Sequence, residues 1–111
     1  MIDIEKLKPL IIERLKPLNP DKVILFGSYA YGTPNEDSDV DLYVVTNDDF
    51  MPQSWREKNK IYKNISINIR DLREIIAIDL IVHTKKMYEK FIDFNKPFAN
   101  EILKGEVLWQ K

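Results

Sequence analysis

The 111-residue chain is long enough for one small folding unit, and a composition 44% apolar and 32% charged supplies both a core and a solvated surface, which excludes a disordered chain. The 17 basic and 18 acidic residues leave a net charge of −1, so no global field draws the molecule towards nucleic acid or anionic membrane, and a nucleic-acid contact would need a local patch. The lack of cysteine excludes disulfides and thiol nucleophiles and suits a reducing cytoplasm, while the charged N-terminus and the absence of any long apolar run argue against a secretory leader or a membrane span.

Ile4, Leu7, Ile11 and Leu15 recur at three- and four-residue spacing, which predicts a helix over residues 3–15. Pro9 falls inside it and either kinks it or opens its second half; Pro17 and Pro20 end it. Val23-Ile24-Leu25-Phe26 is a short run of strand formers and predicts a buried strand ending at Gly27. Residues 28–32 have room for one helical turn before Thr33-Pro34-Asn35 breaks it. Residues 39–45 predict a second strand, with Val40, Leu42 and Val44 on one face and Asp39, Asp41 and Tyr43 on the other. After a polar loop, apolar positions from Trp55 to Leu72 suit a helix, although residues 65–69 also alternate as a strand would.

Residues 75–82 read as a strand holding one charge, Asp79. Thr84 is placed to cap a helix reaching Phe94, residues 97–104 suit a last helix ending at Gly105, and residues 106–110 a final short strand. The order predicts an α/β (α+β) sandwich of two or three layers, a single domain over residues 1–111. The connection between the first two strands is short for a parallel crossover, so an antiparallel pair is expected. That pairing brings Gly27 and Ser28 beside Asp39 and Asp41.

Alternate positions on a strand put the Asp39 and Asp41 carboxylates on one face, where two anions repel and a divalent cation relieves the conflict. Taken alone, a D-x-D is also an ordinary solvated strand start. Gly27-Ser28 taken alone is an ordinary strand exit, though it also suits an anion-binding turn in which backbone can approach a phosphate closely; no Walker loop is present. Asp79, flanked by Ile78 and Leu80, needs a cation, a catalytic duty or a salt bridge to justify its place. Arg56, Lys60 and Lys63 sit at helical spacing and either face a phosphate or form a solvated helix face. His83 reads as a polar strand end, Tyr29 and Tyr31 as packing residues or base platforms, and Trp109 as core.

In combination the signal sharpens. With residue frequencies of about 7% each, G-S-x10-D-x-D arises by chance in roughly one chain of this length in several hundred. The stretch GSYAYGTPNEDSDVDL resembles the signature of the DNA-polymerase-β-like nucleotidyltransferase superfamily, and of its minimal nucleotidyltransferase (MNT) members in particular; VILFGS before it and AIDLIV after it are similar to that family too. The resemblance implies a polymerase-β-like fold, a short mixed sheet flanked by helices. It implies that Gly27 and Ser28 hold the β- and γ-phosphates of a nucleoside triphosphate, ATP above all. Asp39 and Asp41 would ligate two Mg²⁺ ions, and Asp79 would complete the site as a third ligand that helps to take the proton of the acceptor hydroxyl.

Small MNT proteins are similar to antitoxins that act on HEPN-domain toxins. The resemblance therefore implies transfer of AMP to a hydroxyl, a tyrosine of such a toxin, within a homo- or hetero-oligomer. Two other readings stay open: an antitoxin that acts by binding alone, and a transferase for a small antibiotic-type molecule.

Overall fold

The first helix begins where Asp3 accepts a hydrogen bond from the backbone N–H of Glu5 (3.0 Å), satisfying a donor that the first turn leaves free. This helix, α1 (Ile4–Leu15), runs through Pro9, which has no N–H to donate to the carbonyl of Glu5 in the first turn. Leu7, Ile11 and Leu15, spaced by four, are its buried stripe. The computed structural model describes residues 2–111. In chain order it contains β1 (Lys22–Phe26), α2 (Ser28–Tyr31), β2 (Val40–Val45), α3 (Trp55–Ser66), β3 (Ile78–His83), α4 (Lys85–Phe94), α5 (Lys96–Leu103) and β4 (Glu106–Gln110).

The four strands form one sheet in the order β3-β2-β1-β4. β1 is antiparallel to both β2 and β4, whereas β2 and β3 are parallel and joined across α3. This mixed sheet flanked by helices agrees with the fold anticipated from the sequence, including the antiparallel first pair. It has three layers. Val23, Leu25, Val40, Leu42, Val44, Ile78 and Leu80 pack with α1 and with Ile65, Ile69 and Leu72. On the opposite face, Ile24, Phe26, Tyr43 and Val45 pack with Ile102 of α5, and with Tyr88 and Phe91 of α4.

Between α3 and β3 the structure departs from expectation. The chain makes neither a strand at residues 65–69 nor a helix unbroken to Leu72; α3 passes into two 3₁₀ turns, Ile67–Ile69 and Leu72–Glu74. An alternating strand would bury Ile67 with its neighbours, yet Ile67 is 60% exposed while Ile65, Ile69 and Leu72 share the core. These turns occupy the chain up to residue 75, so β3 starts at Ile78, three residues later than predicted, and extends to His83. At the other end Gly105 lets β4 fold back onto β1, since a Cβ there would strike the carbonyl of Leu25. No helix among the described residues is long and apolar enough to cross a membrane.

Candidate active site

The antiparallel register sets Phe26 opposite Asp41, so the chain leaves β1 one residue later, directly beside that carboxylate. The residue that makes this exit is Gly27, with φ 75° and ψ −161°. An L side chain rarely adopts that backbone, and a Cβ built there would collide with Oδ2 of Asp41. Ser28 follows at the first position of α2, whose turn is wound on the Gly27 carbonyl by the N–H groups of Ala30 (3.0 Å) and Tyr31 (3.1 Å). Gly32, at φ 78°, ends the turn. The return to β2 is shaped by Asn35: its Oδ1 accepts from the N–H of Asp37 (2.8 Å), and its own N–H donates to Ser38 Oγ (2.9 Å).

The parallel register on the other side of β2 pairs Asp41 with Asp79. Both share the sheet face of Tyr43, Val45 and Ile81, and Asp39 has the same parity two residues ahead of Asp41. Three carboxylates therefore stand at one end of one face. Asp41 is half-buried, while Asp39 and Asp79 are exposed. Burial, then the negative charges of Asp79 and Asp39, push the Asp41 carboxyl above the usual carboxylate range. Ionised, it carries an electrostatic stress that a cation would relieve.

The donor set fits Mg²⁺, a hard cation that takes one or two carboxylates and completes its shell with substrate phosphates and water. Among the described residues no three acidic, histidine or cysteine side chains are grouped so as to hold a metal ion by themselves, so substrate phosphates and water would have to complete the shell.

Tyr31, a packing residue or base platform in the sequence reading, is tied at the site to Glu101, which sequence reasoning did not place there. The Tyr31 hydroxyl reaches from α2 to α5, where it donates to the Glu101 carbonyl at 2.6 Å with Glu101 Oε2 at 3.0 Å. Burial, then the Glu101 carboxylate, raises its pKa, and it also feels the Gly27 backbone and the Asp41 charge. Tyr31 shares the turn of the Gly-Ser motif, the position that drew attention to it in the sequence. Glu101, 70 residues away in sequence, carries no local signal.

Other candidates fall elsewhere. α3 covers the face opposite the carboxylates, so Arg56, Lys60 and Lys63 do not meet them. His83 sits at the far end of β3, its Nδ1 2.6 Å from the Tyr43 hydroxyl. Burial, helped by the charge of Lys58, lowers its pKa to about 4, so it is neutral at pH 7. Tyr29 is core, and Trp109 is half-buried, donating from Nε1 to the Pro20 carbonyl at 3.1 Å. A cavity of about 940 Å³ lies beside Pro20, Thr46 and Phe50 at the opposite end of β2. The charged face has the better claim to phosphoryl chemistry, because that chemistry needs carboxylates and cations rather than an apolar hollow.

The sequence profile of the nucleotidyltransferase domain matches residues 4–107. The chain belongs to that family. This nucleotidyltransferase is 39% identical over 82 residues to a Methanocaldococcus jannaschii protein named "Putative protein adenylyltransferase", a match covering 74% of this chain and 78% of the relative. Its fold is similar to a structure described as that of the toxin-antitoxin with AMP-PNP, with a TM-score of 0.50 and 20% sequence identity over 94% of this chain and 73% of the other.

Proposed function

We propose that this nucleotidyltransferase is a Mg²⁺-dependent adenylyltransferase that moves AMP from ATP to a hydroxyl on a protein, a tyrosine of a HEPN-domain toxin, and acts as the toxin's antitoxin. The observation that carries the reading is the double register at β2: Gly27 closes on Asp41 from one side and Asp79 stands beside it on the other. In this reading the Ser28 hydroxyl and the opening N–H groups of α2 hold the β- and γ-phosphates, leaving the α-phosphorus over Asp39 and Asp41. The acceptor oxygen attacks that phosphorus, its bond to the bridging oxygen breaks, and pyrophosphate leaves with that electron pair. Asp79 orients the acceptor hydroxyl and takes its proton. Two Mg²⁺ ions, held by Asp39, Asp41 and Asp79, would supply charge neutralisation for the attacking and leaving oxygens.

The name of the archaeal relative supports a protein acceptor, and the toxin–antitoxin neighbour supports a toxin as that protein. A second reading, neutralisation by binding alone, draws on exposed apolar side chains of α4, α5 and β4: Phe94 (83% exposed), Leu103 (54%) and Val107 (51%). One experiment separates the two. The protein is incubated with the HEPN toxin, Mg²⁺ and ATP labelled at the α-phosphate. Label should appear on a toxin tyrosine and be lost with Asp39→Asn or Asp41→Asn. Full neutralisation by those variants would instead establish the binding reading.

A further inference from the structure

Away from the carboxylate face, Lys63, Arg70 and Arg73 line a recess of about 440 Å³ together with Ser66 and Ile67. The chain as a whole is near neutral, yet among the described residues none of these three cations is in an ion pair. Arg73 is the fixed member. Its Nη1 donates to the Ser66 hydroxyl (2.8 Å), and its Nη2 donates to the Tyr62 hydroxyl (3.1 Å) and the Ile78 carbonyl (3.2 Å). Val40 bonds to the carbonyl of Ala77, so parallel pairing turns the Ile78 carbonyl outward, and Arg73 covers this free edge of β3. Its Nε is buried with no partner.

Capping an edge carbonyl accounts for the hydrogen bonds of Arg73. It does not account for the charge, since every partner is neutral and two further cations stand on the same rim. A half-buried cation held in place with no anion is an unbalanced arrangement that an anionic ligand completes. A fixed guanidinium beside a lysine is a donor set suited to phosphate. The recess adjoins the 940 Å³ cavity, with which it shares Lys63 and Ile67, and Phe50, Ile61 and Leu18 give that cavity apolar walls. A cationic end joined to an apolar end matches the two chemistries of a nucleotide.

We propose that this recess binds the phosphate of a nucleotide, free or at the end of an RNA strand, at a site separate from Asp39, Asp41 and Asp79. The proposal does not depend on the transfer reaction, so neither fails with the other. The test follows backbone amide NMR shifts of ¹⁵N-labelled protein, without divalent metal, as inorganic phosphate, AMP or a short single-stranded RNA is added. Saturable shifts are expected at Ser66, Arg70 and Arg73, with binding at least about tenfold weaker in the Lys63→Glu/Arg70→Glu double variant. Both of those residues are exposed, so the double variant should fold normally. AMP binding about tenfold tighter than phosphate identifies a free nucleotide as the source, and RNA binding tighter than AMP identifies a strand end. AMP and RNA no tighter than phosphate would overturn the nucleotide assignment. Shifts that rise linearly without saturating, or that are the same in the double variant, would overturn the site itself.

Discussion

Gly27 and Asp41 constrain one another, because the backbone of one occupies the space in which a side chain would meet the carboxylate of the other. Gly27→Ala should force a residue into a positive-φ backbone, costing about 1–2 kcal/mol, and should also displace Asp41. A drop in thermal midpoint together with at least a hundredfold loss of transfer checks this; an unchanged rate would show that Asp41 tolerates the displacement. Asp41 itself carries the opposite bias. Its folded-state pKa is raised, so its contribution to stability is present below its unfolded value and is lost as pH rises through the folded one. Asp41→Asn should therefore remove transfer and yet raise the melting temperature at pH 7 to 8, with the gain fading towards pH 3. Mg²⁺ should stabilise the parent protein at pH 8 more than this variant; a variant that melts lower at pH 8 would contradict the stress assigned to Asp41. Gly27, Ser28, Asp39, Asp41 and Asp79 were all legible in the sequence, since each stands at the end or on one parity of a strand that its neighbours define. Glu101 was not, because only the packing of α5 brings it to Tyr31.

Among the elements, the link from α2 to α5 rests on one hydroxyl. Tyr31→Phe removes a hydrogen bond of about 1 kcal/mol, which corresponds to about fivefold in an equilibrium. If Tyr31 positions the Gly27-Ser28 turn, KM for the nucleotide should rise by about that factor with kcat little changed, while a loss confined to kcat would assign Tyr31 to the chemistry instead. The aromatic layer beneath the other end of β3 offers an independent check. His83, the single histidine of the chain, packs edge-to-face against Tyr43 and Phe91, with ring centroids 5.1 and 5.3 Å away. Its pKa is lowered from 6.5 to about 4, so its share of stability is full above pH 6.5 and is lost as pH falls towards 4. Its imidazole C–H proton resonances should titrate near pH 4, and a midpoint near 6.5 would place the ring in solvent. The least legible element was α3 and its exit. Isoleucines at 65, 67 and 69 fit a strand as well as a helix, and only the core decided which two to bury.

At the scale of the molecule, three helix-and-sheet layers leave the carboxylates at the end of a sheet face and place the 940 Å³ cavity at the opposite end. The alternation of apolar and charged residues announced strands and helices. It could not announce the order β3-β2-β1-β4, because pairing between β1 and the C-terminal β4 is a choice among edges that no local pattern specifies. The parallel register of β2 with β3 has a consequence for assembly of the chain. Sliding β3 by one residue would turn Asp79 into the layer filled by Leu80 and Ile78 and bring those two side chains out beside Asp41. A misaligned molecule would thus expose grease and bury a charge at once, a penalty strong enough to expel it from the native population. The hydrophobic core proofreads the candidate site, and a molecule that has folded has already aligned its acids.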